Sequence, residues 1–221
     1  AGGGGLLTTP SMLLVGINPL TVLGTNKFQS SFSTFTSSRN YYTNGYLTDI
    51  HRNKYFILSF IGSSAGTLMV SRLSDEILRT LIPILLITVA VFFIINRQVK
   101  TDLSNYIVLL TPLIFLIGFY DGFFGPGTGS FFVMLFLVFK NQSLLESTAT
   151  SKLLNFASNF AAFIIFAVQG FVMWELGLIM AVGGIGGAYL GSKSAIKVGD
   201  KLIRPILVIV SILLSLRILT S

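Results

Sequence analysis

Six stretches of this chain, at roughly 22–43, 54–72, 77–96, 147–169, 173–193 and 201–220, have the length of a membrane span. About 20 mostly apolar residues suffice for an α-helix to cross the hydrocarbon of a bilayer. There every backbone N–H and C=O must find its partner inside the protein, so an all-α chain is expected. The totals agree. Of 221 residues, 52% are hydrophobic and only 10% charged, against about 25% charged in a soluble domain. The mean hydropathy is +0.82. The composition points to a polytopic membrane helix bundle, one integral domain seated in a lipid bilayer.

Two shorter pieces break the pattern. Residues 104–124 are long enough to span, but 128–139 make only about twelve residues, a length typical of a re-entrant segment. Residues 5–15 are a similar short piece near the start. An internal repeat ties them together. With an offset of 125 positions, Gly2 meets Gly127, Gly4 meets Gly129, Thr25 meets Thr150, Lys27 meets Lys152 and Gly45 meets Gly170. GSSAG (62–66) matches GGIGG (183–187), and RTLIPILLI (79–87) matches KLIRPILVI (201–209). The expectation is two halves, 1–100 and 101–221, each with a Gly-rich helix break and three spanning helices. The counterpart of residues 102–125 would precede residue 1, so about 20–25 residues are expected upstream of it.

Lys and Arg in short loops orient such halves, because cytoplasmic loops retain them. With loops 44–54, 96–104 and 193–204 inside, ten Lys and Arg face inward and three (Arg72, Arg79, Arg217) face outward. Both ends of 104–140 then lie inside, so that segment must enter, turn at its glycines and return. The halves are expected to be inverted. A parallel arrangement would nearly erase the charge bias.

GFYDGFFGPGTGS (118–130) places an aspartate, a proline and several glycines among apolar residues. Irregular backbone at membrane depth survives only inside protein or beside a water-filled cavity. A helix that starts after such a break aims free N–H groups and a positive dipole end at the cavity. Two breaks, one per half, point to a binding site near mid-membrane. The candidate residues there are Gly3, Gly4 and Gly5 in the first half and Gly127, Thr128 and Gly129 in the second. Close helix packing is the simpler reading of GSSAG and GGIGG. A phosphate loop does not fit, since GPGTGS lacks the following Lys-Ser/Thr.

Thr25-Asn26-Lys27 and Thr150-Ser151-Lys152 start two helices related by the repeat. Lys152, Asn155 and Asn159 share a face, as do Lys27, Ser30 and Thr34. A cation deep in a bilayer costs about 2.5–3.5 kcal/mol or more and marks a functional site. Snorkelling to the interface is the bland alternative. The pairing favours binding of a small anion by Lys27, Lys152 and the helix N-termini. Asp121 has three open roles: coupling to H+ or Na+, charge balance for a lysine, or a cap on the helix after the break. The chain has no Cys and one His, His51, in a loop. No catalytic motif is present, and no cofactor, metal or nucleic acid is expected as a partner.

The segments AGGGGLLTTPSMLLVGINPLTVLGTNKFQSS and GFYDGFFGPGTGSFF resemble the two repeats of the sulfite exporter TauE/SafE family, also called the 4-toluene sulfonate uptake permease family. The TNK and TSK steps and KLIRPILVIV look like its branch of probable membrane transporters. The resemblance covers essentially the whole chain. It implies a multi-pass protein of the bacterial inner membrane and a secondary transporter of sulfite, an organosulfonate or another sulfur-containing anion. One departure is that the second break reads GPGTG rather than a full glycine run. A component without transport activity (an assembly factor or sensor) and an anion channel are the rival classes.

Overall fold

A computed structural model describes residues 4–49, 51–95 and 103–198 of the chain. The break residue Gly3 and the expected helix at 201–220 lie outside them. The described residues are helical, with no strands. In order they form α1 (Gly4–Leu14), α2 (Pro19–Thr43), α3 (Arg52–Val70) and α4 (Asp75–Ile95). A 3-10 turn (Ser104–Leu109) then leads into α5 (Leu110–Phe123), followed by α6 (Thr128–Lys140), α7 (Leu144–Val168) and α8 (Trp174–Val198).

Local chemistry sets the helix ends. Asn18 caps α2, its side-chain oxygen accepting from Leu20 N at 3.0 Å, and Pro19 occupies the first helical position. Ser143 and Glu146 cap α7 reciprocally, a capping box. Gly45 and Gly170, paired by the repeat, lie just past the ends of α2 and α7 with φ of +77° and +79°. A left-handed residue that closes a helix is usually glycine. Both α2 and α7 hold 25 residues, and their ends are offset by the same 125 positions as the sequence.

α2 and α7 pack together and run antiparallel. Leu20 and Leu23 near the start of α2 cluster with Ala162 and Phe166 near the end of α7. Tyr41 near the end of α2 clusters with Leu144 and Leu145 at the start of α7. Two ends of the bundle are thereby defined. At one, Lys140 pairs with Asp49 at 3.0 Å, and Ala195 of α8 joins the Tyr41 cluster. Arg39, Arg52, Lys54, Lys140, Lys193 and Lys197 gather toward this basic end. At the opposite end Ser71 donates to Gln169 at 2.7 Å, and Asn18 donates to Asp75.

α5 and α6 form a hairpin. The Leu103 amide donates to the Val138 carbonyl at 3.0 Å, so the segment's two ends meet at the basic end. Its turn, residues 124–127, lies in the interior. α5 reaches α3 closely: a Cβ on Gly122 would overlap the Ser63 carbonyl oxygen, and one on Gly66 would overlap that of Phe119. GSSAG is therefore a packing surface, in the manner of small residues between membrane helices. Hydroxyls on α3 tie it to α7, through Ser59 and Ser63, and to α5, through Thr67. Ser59, Ser63 and Thr67 donate to the carbonyls of Leu154, Ser158 and Gly122 at 3.0, 2.6 and 3.1 Å.

Among the described residues three stretches are long and apolar enough to cross a membrane: Ser104–Phe123, Leu144–Val168 and Trp174–Lys197. α2 has the length but not the hydropathy. Its Thr25, Asn26, Lys27, Ser31, Ser37 and Ser38 are buried in the bundle.

Candidate functional site

Lys27, two turns into α2, is 1% exposed, and Asp121 on α5 is 2% exposed. The Lys27 Nζ lies 2.9 Å from Asp121 Oδ1. The Ser158 hydroxyl on α7 donates to the other carboxylate oxygen. Three elements thus converge on one buried ion pair. The break covers it: Gly125 has φ of +100°, and a Cβ there would stand 2.6 Å from Lys27 Nζ and 3.0 Å from Asp121 Oδ1. Glycine serves here both for its backbone conformation and for the room it leaves.

The pair forms part of the wall of a cavity of about 490 Å³ between α2, α7, α8 and the break. α2 contributes Asn26, Lys27, Gln29, Ser30, Ser33, Thr34 and Ser37, residues spaced to share one face. α7 adds Lys152, Asn155 and Asn159. Among the described residues no aromatic side chain lines the cavity, and Met180 and Ala188 are its apolar contributors. From the ion pair the lining runs toward Ser37 and Ala188, which is toward the basic end. The opposite end is closed by packed rings: Phe28 meets Phe163 at 5.0 Å and Trp174 at 5.4 Å between centroids, and Phe124 and Phe166 join the same cluster.

The hydroxyls of α2 are bonded to their own helix. Ser31, Ser33, Thr34 and Ser37 donate to carbonyls one turn back, at 2.8, 3.1, 2.6 and 3.1 Å. Asn26 Oδ1 accepts from Thr8 Oγ1 at 2.8 Å and from Gln29 Nε2 at 3.1 Å. Turned away from those carbonyls, the hydroxyls would join the amides and ammonium groups as donors, which suits an anion rich in oxygen acceptors.

The residues singled out in the sequence divide into three groups. Asn26, Lys27, Asp121, Gly129, Lys152 and Asn155 line the cavity. Thr25, Gly127, Thr128 and Thr150 are absent from its lining. Thr25 is buried and its hydroxyl accepts from Met173 N at 3.0 Å, tying α2 to the start of α8. Thr150 is buried within α7. Gly127, with φ of +88°, opens α6, and the Thr128 hydroxyl turns back to the Gly125 carbonyl at 2.6 Å. The Thr128 amide also bonds that carbonyl, at 3.2 Å, so this N–H is not free for a ligand. Gly4 and Gly5 begin α1, whose Thr8 reaches the cavity. For Asp121 the geometry matches charge balance: α6 has Gly127 at its N-cap and no side-chain cap bond there.

Some wall residues escaped the sequence reading. Gln29, Ser33 and Ser37 continue the face of Asn26 and Ser30, and helical periodicity alone could have found them. Gly184 and Gly187 belong to the GGIGG assigned to packing, yet both line the cavity. A Cβ on Gly184 would collide with Ser33 Oγ, while Gly183, Gly186 and Gly187 have nothing within 4 Å among the described residues. Among those residues no three His, Cys, Asp or Glu side chains gather to hold a metal ion.

Comparison with known proteins adds the relatives. Residues 1–218 match the family described as sulfite exporter TauE/SafE. The chain is 40% identical over 227 residues to the probable membrane transporter protein ORF9 of a Sinorhizobium species, spanning all of this chain and 86% of that one. It is 36% identical over 224 residues to the probable membrane transporter protein YfcA of Escherichia coli K12, with 99% and 83% covered. A probable membrane transporter protein of Haemophilus influenzae is 35% identical, with 97% and 86% covered. No solved structure matches.

Proposed function

The chain belongs to the sulfite exporter TauE/SafE family, and from that premise we propose that it is a secondary transporter of sulfite or a small organosulfonate in the bacterial inner membrane. The observation that carries the anion is the polar cavity walled by Lys27 and Lys152. The substrate sits against α2 and α7, held by Lys152, Asn155, Asn26 and Gln29, with the Gly129 turn of α6 beside it.

Transport proceeds by alternating access between two inverted halves. The antiparallel α2 and α7, with ends at the same offset as the sequence repeat, support the inversion. The meeting of Leu103 with Val138 supports a re-entrant hairpin. So does the length of α6, which has 13 residues. At 1.5 Å per residue it reaches about 20 Å, short of a hydrocarbon core about 30 Å thick. With the basic end cytoplasmic, the cavity points inward and the aromatic cluster seals the outside.

Reconstitution into liposomes tests this reading. Labelled sulfite or a short sulfonate is expected to exchange against the same unlabelled anion. Absence of exchange for all of them removes the transporter assignment. Thiol labelling tests the topology: Ser74→Cys and Lys197→Cys are expected to label from opposite faces, and labelling from one face rules out the inverted arrangement.

A further inference from the structure

The buried ion pair raises a question that an anion site alone does not answer. Lys27 is already neutralised by Asp121 at 2.9 Å, in a place where neither touches solvent. An incoming anion that binds Lys27 must compete with that carboxylate. We propose that this competition is the coupling device: Asp121 takes up one proton when the anion takes Lys27, so that anion and proton cross together. The proposal rests on the transporter reading above and adds the coupling ion and its site.

The groups around Asp121 make the exchange specific. From α2 it faces the Lys27 ammonium, and from α7 the Ser158 hydroxyl, with Lys152 on the same cavity wall. From α3 the neighbours are Ser63 and Thr67, whose hydroxyls bond the carbonyls of Ser158 and Gly122. On its own helix the Tyr120 hydroxyl is committed to the Pro126 carbonyl at 2.6 Å. Lys27 is therefore the ammonium in contact with Asp121 among the described residues. Once an anion engages Lys27, the carboxylate loses its countercharge at a site that is almost wholly buried. A buried carboxylate without a partner favours its neutral form, so it binds a proton. The ammonium keeps its own three protons, and the net change on loading is one anion and one proton gained. By linkage the proton strengthens anion binding as much as the anion strengthens proton binding.

The same geometry disfavours sodium. A second cation at Asp121 would sit within a few ångströms of the Lys27 charge and be repelled. A proton attaches to a carboxylate oxygen and needs no coordination shell. Gly125 keeps the exchange tight, since any side chain there would push into the ammonium. The hairpin bearing Asp121 and the helix bearing Lys27 then bind each other in the empty carrier and loosen in the loaded one.

The test uses the full chain in liposomes and labelled methanesulfonate, whose own charge does not follow pH. Label exchange against unlabelled methanesulfonate or sulfite is the first readout. Without any exchange the transporter reading falls, and this proposal with it. With exchange present, an inward acid gradient is expected to concentrate the label up to the imposed proton ratio, and a sodium gradient is expected to leave it unconcentrated. Accumulation under sodium alone, or under neither gradient, overturns the coupling while leaving the transporter reading intact. In Asp121→Asn the final accumulation ratio is expected to fall to one whatever the turnover rate, because the ratio reads coupling and not speed. An Asp121→Asn protein that still concentrates label under an acid gradient overturns the proposal. Should that variant not fold, the wild-type comparison of acid and sodium gradients decides alone.

Discussion

Lys27 and Lys152 occupy equivalent positions of two helices, α2 and α7, that share length and repeat offset. Their surroundings differ. Lys27 is 1% exposed, bonded to Asp121 and roofed by Gly125. Lys152 is half-buried on the cavity wall. The surroundings of Lys27 come from a third element: the α5–α6 hairpin delivers Asp121 and Gly125 to it. The surroundings of a lysine on such a helix are thus set by what packs on it, here a hairpin that brings a carboxylate and a glycine.

The largest effect is expected at Lys27→Ala. It leaves a buried carboxylate without its partner, a loss of about 3–5 kcal/mol. Thermal unfolding in detergent should show it, with flux lost as well. Adding Asp121→Asn should recover stability but not flux. An equal loss of stability in Lys152→Ala would break the comparison.

Next comes Gly125→Ala, with about 1–3 kcal/mol from a left-handed backbone and a collision with Lys27 added to it. Gly170→Ala is its control, because φ there is +79° but nothing lies within 4 Å. Equal unfolding temperatures for the two variants would show that the roof over the ion pair has no weight.

Lys152→Ala should disturb the fold less and the substrate more. Its signature is a KM raised by more than kcat falls, measured as initial rates of labelled anion uptake. Normal flux in both lysine variants would remove the anion site altogether.

The smallest change in stability is expected at Gly187→Ala on α8. Its repeat mate Gly66 lies against the Phe119 carbonyl, which a Cβ at that position would overlap, whereas Gly187 has open space among the described residues. Gly66→Ala should lower the unfolding temperature clearly and Gly187→Ala hardly at all. The latter should instead slow larger sulfonates before sulfite, because it intrudes on the cavity.

Much of this was legible in the residues. The 125-residue offset anticipated the matched placement of α2 and α7 and the pairing of Gly45 with Gly170, although both helices begin three residues before the 22 and 147 read from the sequence. Those features are local, and helix caps and glycine conformations are written locally. The partnership of Lys27 with Asp121 was not legible, because 94 residues separate them and the contact depends on how the hairpin inserts. For the same reason the sequence could not tell which break glycines face the cavity. Gly127 and Thr128 stood beside Gly129 as candidates, yet they are absent from the cavity lining, while Gly125, which the sequence did not single out, is part of it. GGIGG misled because small residues serve equally to admit a neighbouring helix or to leave a space empty.

The self-bonded hydroxyls of α2 bear on the half of a transport cycle in which nothing is carried. A wall of unsatisfied donors would hold a column of water, and moving it through the bilayer would cost energy and leak protons. Ser33, Thr34 and Ser37 instead rest on carbonyls of their own helix. Each needs one side-chain rotation to meet an anion and one to withdraw. Under the proposed alternating access, the unloaded protein would return with a drier interior than its count of polar residues suggests.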